Sequence, residues 1–272
     1  MSQPPIDKMK RFKHNRILIC YMWRLIVNEG TAEENMALDE SILSLKGKEK
    51  SPNTLRLYVF SPSAITIGYS QKINEVVDKE FADKQSISVV RRITGGGAVY
   101  HDQKGEITYS IIASINDMPL DIQETFMKIC GGIVYALEEF ELKARFEPIN
   151  DVVVNGKKIS GSAQIRRKNA ILQHGTVLYN TDIFTLGKLL RVPKEKLTRH
   201  GIDTIFDRVT TISQELNRKV TKEEVIDALI KGFGRALNMK FEKSPLEKIE
   251  INLAQKVVEK YRNEKWNNNA KI

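Results

Sequence analysis

The stretch "NDVVVNGKKISGSAQIRRKNAILQHGTVLY" (Asn150–Tyr179) is the part of the chain that best defines its fold. Asn155-Gly156 separates two short extended runs, and this dipeptide is the strongest short-range signal for a β-hairpin. The polar run "RRKN" turns the chain again before a third run, "AILQHGTVLY". The stretch therefore predicts three consecutive antiparallel strands. Side chains alternate along a strand, so Lys158 and Ser160 are expected on one face of the second strand.

Further strands and helices are predicted on both sides of this stretch. "TLRLYVF", "AITIGY", "ISVVRRI" and "GEITYSIIASI" have the composition of strands. The periodicity predicts a first helix over Ala32–Lys46, and a second in "DIQETFMKICGGIVYALEEF", interrupted or kinked at Gly131-Gly132. Strands and helices alternate irregularly, which indicates an α/β or α+β domain with a mixed sheet.

The C-terminal part of the chain is predicted to be helical. "VTKEEVIDALIKGFGRAL" begins with Thr221 and Glu224 in the spacing of a capping box. "SPLEKIEINLAQKVVEKY" offers Ser244 as N-cap and Pro245 as the first helical residue. We expect one domain over residues 22–265 and a disordered end over residues 266–272.

Composition excludes several protein classes. The apolar fraction of 41% and the charged fraction of 28% over 272 residues are those of a globular protein. No apolar run reaches the length of a membrane span, so no membrane association is expected. The two cysteines, Cys20 and Cys130, form no CxxC pair, which argues against a disulfide framework or a zinc site and favours the cytoplasm.

The first 21 residues are basic, with five Lys and Arg residues against Asp7 alone, and the chain as a whole carries a net charge of +9. We predict a disordered tail here. The alternative is a basic arm for nucleic acid or another acidic partner. Aromatic residues are not interleaved with the basic ones as in single-strand binders, so nucleic-acid binding is not expected.

The loop "RRITGGGAVYHD" (Arg91–Asp102) fits neither common nucleotide fingerprint, because no lysine follows the glycines and no helix begins at them. Three glycines can expose several backbone N–H groups to one anion, and Arg92 would add charge. The alternative is a tight strand connection that needs a positive φ. The residues alone leave both interpretations open.

Isolated polar residues give weaker signals. Lys158, followed by small residues, can neutralise charge on an acyl or phosphoryl oxygen, but a strand lysine such as its neighbour Lys157 is more often simply solvated. The histidines show neither metal-ligand spacing nor a Ser-His-Asp grouping. Taken separately, these signals indicate only an anion-binding site in an α/β domain.

Five segments taken together resemble the lipoate–protein ligase family and its octanoyltransferase relatives, in order and in spacing. They are "NMALDE", "TLRLYVFSPSAITIGYSQ", "VVRRITGGGAVYHDQKGEITYS", "NDVVVNGKKISGSAQ" and "QHGTVLYNTD". The resemblance extends from about Trp23 to the final "YRNEKWN". It implies an α/β (α+β) catalytic domain of the class II synthetase and biotin-ligase type, with a mixed, mostly antiparallel sheet flanked by helices.

The activity that the resemblance implies is ATP-dependent lipoylation. Lipoate would react with ATP and Mg²⁺ to give lipoyl-adenylate, and the lipoyl group would pass to a lysine of an acceptor protein. The implied acceptors are the lipoyl domains of 2-oxoacid dehydrogenase complexes and the glycine-cleavage H protein. The chain also looks like the split form of the enzyme, which implies a separate accessory subunit that carries the C-terminal domain.

The resemblance also assigns site residues, with Lys158 as the catalytic lysine. The implied ATP-binding residues are Arg92, Gly97, Ala98, Val99, Tyr100, Asp102 and Lys158. The implied lipoate-binding residues are Gly68, Tyr69, Gly95, Gly96, Lys158, Gly161, Ala163 and His174, with Gln71 beside them in the acyl tunnel. Asp151 is the candidate metal ligand, and His101 with Asp102 could either bind a metal or form a hydrogen-bonded turn.

The alternative function is ATP-independent transfer of octanoate from acyl carrier protein to lipoyl domains, which uses the same fold. Cysteine-dependent octanoyltransferases place their nucleophile shortly before the hairpin, where this chain has "LKARFEPINDVVV" and no cysteine. Cys130 is expected to be a small core residue. The "GGGAV" loop favours the ligase, whereas "SGSAQIR" and "ILQHG" are closer to the transferases. Biotin ligation is a weaker variant, because its "GRGR" loop is absent.

Overall fold

The computed structural model describes residues 22–191 and 208–269. The basic segment 1–21 lies outside them. The strands are β1 Met22–Gly30, β2 Thr54–Phe60, β3 Ala64–Ile67, β4 Ser88–Arg91, β5 Val99–His101, β6 Glu106–Ser114, β7 Ala144–Glu147, β8 Asp151–Val154, β9 Lys157–Arg167, β10 Ala170–Leu178 and β11 Lys240–Lys243. The helices are α1 Ala32–Lys46, α2 Ile73–Val76, α3 Lys79–Lys84, α4 Ile122–Glu138, α5 Ile183–Leu189, α6 Ile212–Leu216, α7 Lys222–Leu237, α8 Lys248–Arg262 and α9 Glu264–Asn268.

Eight strands form one mixed sheet in the order β11-β1-β2-β6-β10-β9-β8-β7. The two contacts of β1 are parallel and the five others are antiparallel. The α/β class and the mostly antiparallel sheet are therefore confirmed. The three consecutive strands predicted from Asn150–Tyr179 are confirmed as β8, β9 and β10. β9 pairs antiparallel with β8 on one side and with β10 on the other.

Helices cover both faces of this sheet. The core on one face contains side chains of α4 and α7, such as Ile133 and Phe233, packed against strand residues such as Leu57. The core on the other face joins α1 and α8, where Ile42 and Tyr261 lie beside Tyr58. Both faces are buried, so β2 and β10 are buried along their whole length.

The first strand is tied to the end of the chain. β1 pairs in parallel with β11. Arg24 donates two hydrogen bonds to the Glu250 carboxylate of α8, at 2.7 and 2.5 Å. Both side chains are buried, so the ion pair is shielded from solvent.

Three strands outside the main sheet form a second, smaller one in the order β4-β3-β5. Its apolar side chains, among them Ile65 and Ile67, pack with α2, α3 and α5 in a separate core. The glycine-rich loop 94–98 connects β4 to β5. The loop therefore joins two strands of the small sheet.

Three local predictions need correction. The helix predicted to be interrupted or kinked at Gly131-Gly132 is continuous as α4. The glycine at 132 serves packing instead, since its missing side chain leaves room for the ring of Phe233. The last long helix begins at Lys248 with Glu247 as its N-cap, not at Ser244. Trp266 to Asn268, predicted to belong to a disordered end, lie in α9. The helices Ala32–Lys46 and Lys222–Leu237 begin at the expected places, and Thr221 caps the second as predicted.

None of the helices in the described ranges is long and apolar enough to cross a bilayer.

Candidate functional site

A cavity of about 470 Å³ lies between the two sheets, beside the glycine-rich loop. One part of its wall is apolar and includes Val76, Ala98, Leu186 and Leu190, which belong to the core of the small sheet. Another part is polar and comes from β8 and β9. An apolar wall with a few grouped polar side chains is the usual character of a small-molecule site.

Lys158 lies in the polar part of the cavity. Its Nζ is 2.6 Å from the Asp151 carboxylate, and its side chain is 32% exposed, so the pair remains accessible. The pairing register shifts by one residue between Val152 and Val153, which leaves Ile159 as a bulge on β9. Bulges beside functional sites redirect side chains, and this one sets the position of Lys158.

The surroundings of Lys158 hold it in place. Its backbone carbonyl accepts a hydrogen bond from the amide of Thr210 at 2.9 Å. A Cβ at Gly161 would overlap the end of the Lys158 side chain, so glycine is required for this lysine conformation. The Ser160 hydroxyl lines the same part of the cavity and is buried, and it has no hydrogen-bond partner among the described residues.

Arg92 holds the glycine-rich loop from inside. Its guanidinium donates to the carbonyls of Gly95 (2.6 Å) and Gly97 (2.7 Å) and, on its other side, to Thr94 Oγ1 (3.0 Å). Burial lowers the pKa of Arg92 to about 10. The side chain thus uses its donors on the loop, rather than extending them toward an anion. Among the three glycines only Gly96 has a positive φ, of 92°.

His174 forms part of a buried chain of hydrogen bonds behind the loop. Its Nδ1 is 3.0 Å from the Asp39 carboxylate, and its Nε2 is 2.7 Å from Thr94 Oγ1. Burial lowers the pKa of His174, although Asp39 opposes this effect. The neutral ring therefore donates from Nδ1 to Asp39 and accepts the Thr94 hydroxyl at Nε2. Thr94 in turn accepts from Arg92, so His174 supports the loop indirectly.

A second chain of the same kind runs through His101. Its Nδ1 is 2.9 Å from the Glu106 carboxylate, and its Nε2 is 2.9 Å from Thr66 Oγ1. Thr66 also accepts from Arg92, at 3.2 Å. Two histidine–carboxylate pairs thus converge through threonine hydroxyls on one guanidinium. The interior beneath the loop is therefore a polar hydrogen-bond network, and its geometry depends on each side chain in it.

The neutral state of His174 leads to a pH prediction. The unfolded chain binds a proton at this histidine below about pH 6.5, while the folded protein resists it. The contribution of His174 to stability is therefore complete above pH 6.5 and declines as the pH falls below that value. We expect the unfolding free energy to fall by about 1 kcal/mol more between pH 7.5 and 5.5 in the natural protein than in His174→Gln. Urea unfolding at both pH values measures this, and equal pH dependence in the two proteins would contradict it.

Cys130 is sealed from the cavity. It lies on α4 with no exposed surface, and burial raises the pKa of its thiol to about 11. Its Sγ is 3.5 Å from Ser162 Oγ. It is the only cysteine in the parts of the chain that the structure describes. The expectation of a small core residue agrees with this environment, since a thiolate is what makes a cysteine nucleophilic.

The structure gathers most of the predicted site residues but not all of them. Those that line the cavity are Arg92, Gly96, Gly97, Ala98, Val99, Tyr100, Asp151, Lys158, Gly161, Ala163 and His174, together with Gln71. Gly68, Tyr69 and Gly95 lie in the adjoining loops. Asp102 is a turn residue, whose carboxylate accepts from the amides of Lys104 and Asp182.

Asp151, the candidate metal ligand, pairs with Lys158. Over residues 22–191 and 208–269, no three His, Cys, Asp or Glu side chains are grouped so that they could hold a metal ion.

Several important residues were missed by the sequence analysis. Asp39, Thr66, Thr94 and Glu106 were not singled out, because a single polar residue beside apolar ones carries no signal of its burial. Arg91 was quoted as part of the loop but received no role. The pattern that could have found Asp39 is its place on the buried side of the predicted helix Ala32–Lys46, where an unpaired carboxylate is not tolerated.

Comparisons with known proteins bear on the identity of this site. The profile of the Lipoyl protein ligase A/B catalytic domain matches residues 31–234. Octanoyltransferase LipM of Brevibacillus brevis is 35% identical, with 90% of this chain and 98% of the relative covered. Octanoyltransferase LipM of Kyrpidia tusciae is 33% identical, with 90% and 98% covered. The bi-partite lipoate protein ligase of Thermoplasma acidophilum superposes with a TM-score of 0.79 at 33% identity, covering 90% of this chain and 96% of that one.

The names of the curated sequence relatives contradict the main functional prediction. These relatives are named octanoyltransferases, and the match covers nearly their whole length. The prediction of an ATP-dependent lipoate ligase is therefore wrong. The predictions that depended on it are wrong with it: ATP and Mg²⁺ as cofactors, free lipoate as the substrate, and an acyl-adenylate intermediate. The assignment of Arg92, Asp102 and the loop residues to ATP rested on that prediction. The alternative of octanoyl transfer is the better-supported one.

Proposed function

Since the chain belongs to the Lipoyl protein ligase A/B catalytic domain family, we propose that it is an octanoyltransferase. It moves an octanoyl group from the thioester of an acyl carrier protein to a lysine of a lipoyl domain. The observation that carries this proposal is the cavity that joins an apolar wall to the Lys158–Asp151 pair. The octanoyltransferases among its relatives support the choice of acyl group.

The apolar part of the cavity suits a straight acyl chain. Val76, Ala98, Leu186 and Leu190 present hydrocarbon and no charge. Each buried methylene of an acyl chain stabilises the complex by roughly 0.8 kcal/mol, so this wall contributes to affinity for the donor. The carbonyl end of the chain then lies in the polar part, near Lys158.

The reaction at the carbonyl is a direct transfer. The amine of the acceptor lysine attacks the thioester carbon, the C–N bond forms, and the C–S bond breaks as the proton lost by the amine passes to the leaving thiolate. The Lys158 side chain hydrogen-bonds to the oxygen on which negative charge develops and shuttles the proton. Asp151 orients Lys158 for this role. A donor placed at the developing charge is among the largest single contributions to catalysis.

The sealed environment of Cys130 argues against a covalent acyl-cysteine at that position. We expect Cys130→Ala to retain kcat/KM within about twofold and to lose about 1–2 kcal/mol of stability, since a small buried group is removed. Initial rates and urea unfolding measure the two effects. Loss of transfer in a variant that is still folded would show that the thiol takes part in the reaction.

The acceptors that we propose are lipoyl domains, including those of 2-oxoacid dehydrogenase complexes, and the glycine-cleavage H protein. A direct transfer from a thioester requires no adenylate. The separate accessory subunit, predicted for adenylate formation, therefore has no step to serve in this reaction.

One assay tests the function. The full chain is incubated with a lipoyl domain and octanoyl-loaded acyl carrier protein without ATP, and the mass of the acceptor is followed. An increase by one octanoyl group is expected. The matched reaction contains free octanoate, ATP and Mg²⁺ instead of the loaded carrier. Modification only in that second reaction would overturn the proposal.

A further inference from the structure

The Arg91 guanidinium is fully buried and joins two distant parts of the chain. Its Nη1 donates to three carbonyls of the segment 68–71: Gly68 at 3.0 Å, Tyr69 at 2.8 Å and Gln71 at 2.6 Å. Its Nε donates to the carbonyl of Trp266 at 3.1 Å, and its Nη2 to that of Asn267 at 2.8 Å. Every nitrogen of the guanidinium is thus bound to a backbone oxygen.

The short helix α9 (Glu264–Asn268), which we call the C-terminal turn, also donates a hydrogen bond to Arg91 and accepts one from its backbone amide. The indole N–H of Trp266 donates to the Arg91 carbonyl at 2.8 Å. The Arg91 amide donates to the Asn267 side-chain oxygen at 2.9 Å. The ring of Trp266 also packs beside that of Tyr69, with centroids 6.0 Å apart. Turn and arginine are therefore joined through both backbone and side chains.

The segment 68–71 continues this connection to the cavity. A Cβ on Gly68 would collide with the carbonyl of Gly96, so the segment lies directly against the glycine-rich loop. The Tyr69 amide donates to the Thr94 carbonyl of that loop at 2.8 Å. Gln71, whose side chain accepts from the Gly68 amide at 2.9 Å, lines the cavity. Contacts are thus continuous from the C-terminal turn to the proposed acyl site.

We propose that the C-terminal turn is a positioning element of the acyl pocket, acting through Arg91. The segment 68–71 follows β3, and Arg91 donates to three of its carbonyls. Without Trp266 and Asn267, two guanidinium nitrogens would lose their partners in a buried place, which is costly. The arginine would turn toward solvent and release segment 68–71, so that the wall of the pocket would no longer be fixed. The proposal rests on the octanoyltransferase function proposed above.

Two shortened chains test this role. One ends at Arg262 and lacks the turn, and its matched control ends at Asn269 and keeps it. We expect the KM for the octanoyl-loaded carrier to rise about tenfold in the shorter chain, with kcat within about threefold, since a loosened pocket mainly weakens binding. The control should match the full chain in both constants.

Hydrogen exchange provides a readout that does not depend on activity. Amides of segments 68–71 and 94–97 are expected to exchange faster in the chain ending at Arg262 and unchanged in the control. Unchanged KM and unchanged exchange in a folded chain ending at Arg262 would overturn the proposal. If the full chain transfers no octanoyl group, the proposed function fails, and the exchange result still decides whether the turn positions the loop.

Point variants decide the case if the shorter chain does not fold. Trp266→Phe keeps an aromatic ring at this position but removes the indole N–H, and Asn267→Ala removes the side-chain bond to the Arg91 amide. Each is expected to raise KM by a few fold and to speed exchange at 68–71. A purely structural role would instead lower the melting temperature and leave KM and local exchange unchanged.

Discussion

Replacing Lys158 by alanine is expected to lower kcat/KM for octanoyl transfer by about 10²–10³-fold, the usual loss when one group that stabilises a developing oxyanion is removed. The Lys158 Nζ, 2.6 Å from Asp151, lies in the polar part of the cavity, which Ser160 also lines. Alanine can neither carry the proton nor donate to the carbonyl oxygen. The unfolding free energy should change by less than about 1 kcal/mol, because the pair is partly exposed. Initial rates and urea unfolding on the same preparation separate the two quantities.

Lys157 provides the matched control for this variant. It is the preceding residue of β9, carries the same charge, and does not line the cavity. Lys157→Ala should therefore keep kcat/KM within about twofold, as surface substitutions do. Equal losses in the two variants would mean that the general positive charge of this strand, and not a positioned amine, supports the reaction. Full activity in Lys158→Ala would remove the lysine from the mechanism.

Replacing Asp39 by asparagine is expected to destabilise the fold by about 3–5 kcal/mol, the usual result of removing one partner of a buried ion pair. The Asp39 carboxylate bonds the Arg56 guanidinium and accepts from Tyr58 at 3.0 Å and Ser110 at 2.8 Å. Burial acts to raise the pKa of Asp39, but Arg56 and His174 outweigh it and lower the pKa. Asparagine would leave Arg56 buried and charged without a counter-ion. Urea unfolding at pH 7.5 measures the loss.

The control for this stability change is an ion pair at the surface. Lys79 and Asp83 lie four residues apart on α3, and both side chains are more than half exposed. Asp83→Asn should cost less than about 0.5 kcal/mol, because exposed pairs gain little in water. A similar cost in both variants would indicate that the Asp39 pair is accessible to solvent. It would contradict the buried network described behind the glycine-rich loop.

The parts of the fold that local sequence determines were predictable. Asn155-Gly156 defined a hairpin, and both residues have the positive φ that such a turn requires. Thr221 and Glu224 marked the start of α7, since a capping box uses residues three apart. The order of strands in the sheet was not predictable, because β2 lies beside β6 through contacts that are distant in sequence. Gly131-Gly132 likewise predicted an interruption or kink, but α4 is continuous there, and Gly132 lies against the Phe233 ring of α7.

The site was predictable in part. Its residues came from resemblance to a family, and the structure brings most of them to one cavity. Their individual tasks depend on surroundings that a sequence does not display. Arg92 looked like an anion ligand, but in the fold the carbonyls of Gly95 and Gly97 come within its reach. The sequence analysis chose the ligase over the transferase because both activities occur on the same fold and the GGGAV loop sequence resembles that of the ligases.

The parallel pairing of β1 with β11 has a consequence for how the protein is made. The first strand of the sheet remains an open edge until residues 240–243 have been synthesised, and Arg24 has no counter-ion until Glu250 follows. A ribosome-bound chain therefore exposes that edge until β11 has emerged, and exposed edges invite pairing with other chains. Pairing with β11 therefore protects the β1 edge from such contacts as well as completing the sheet.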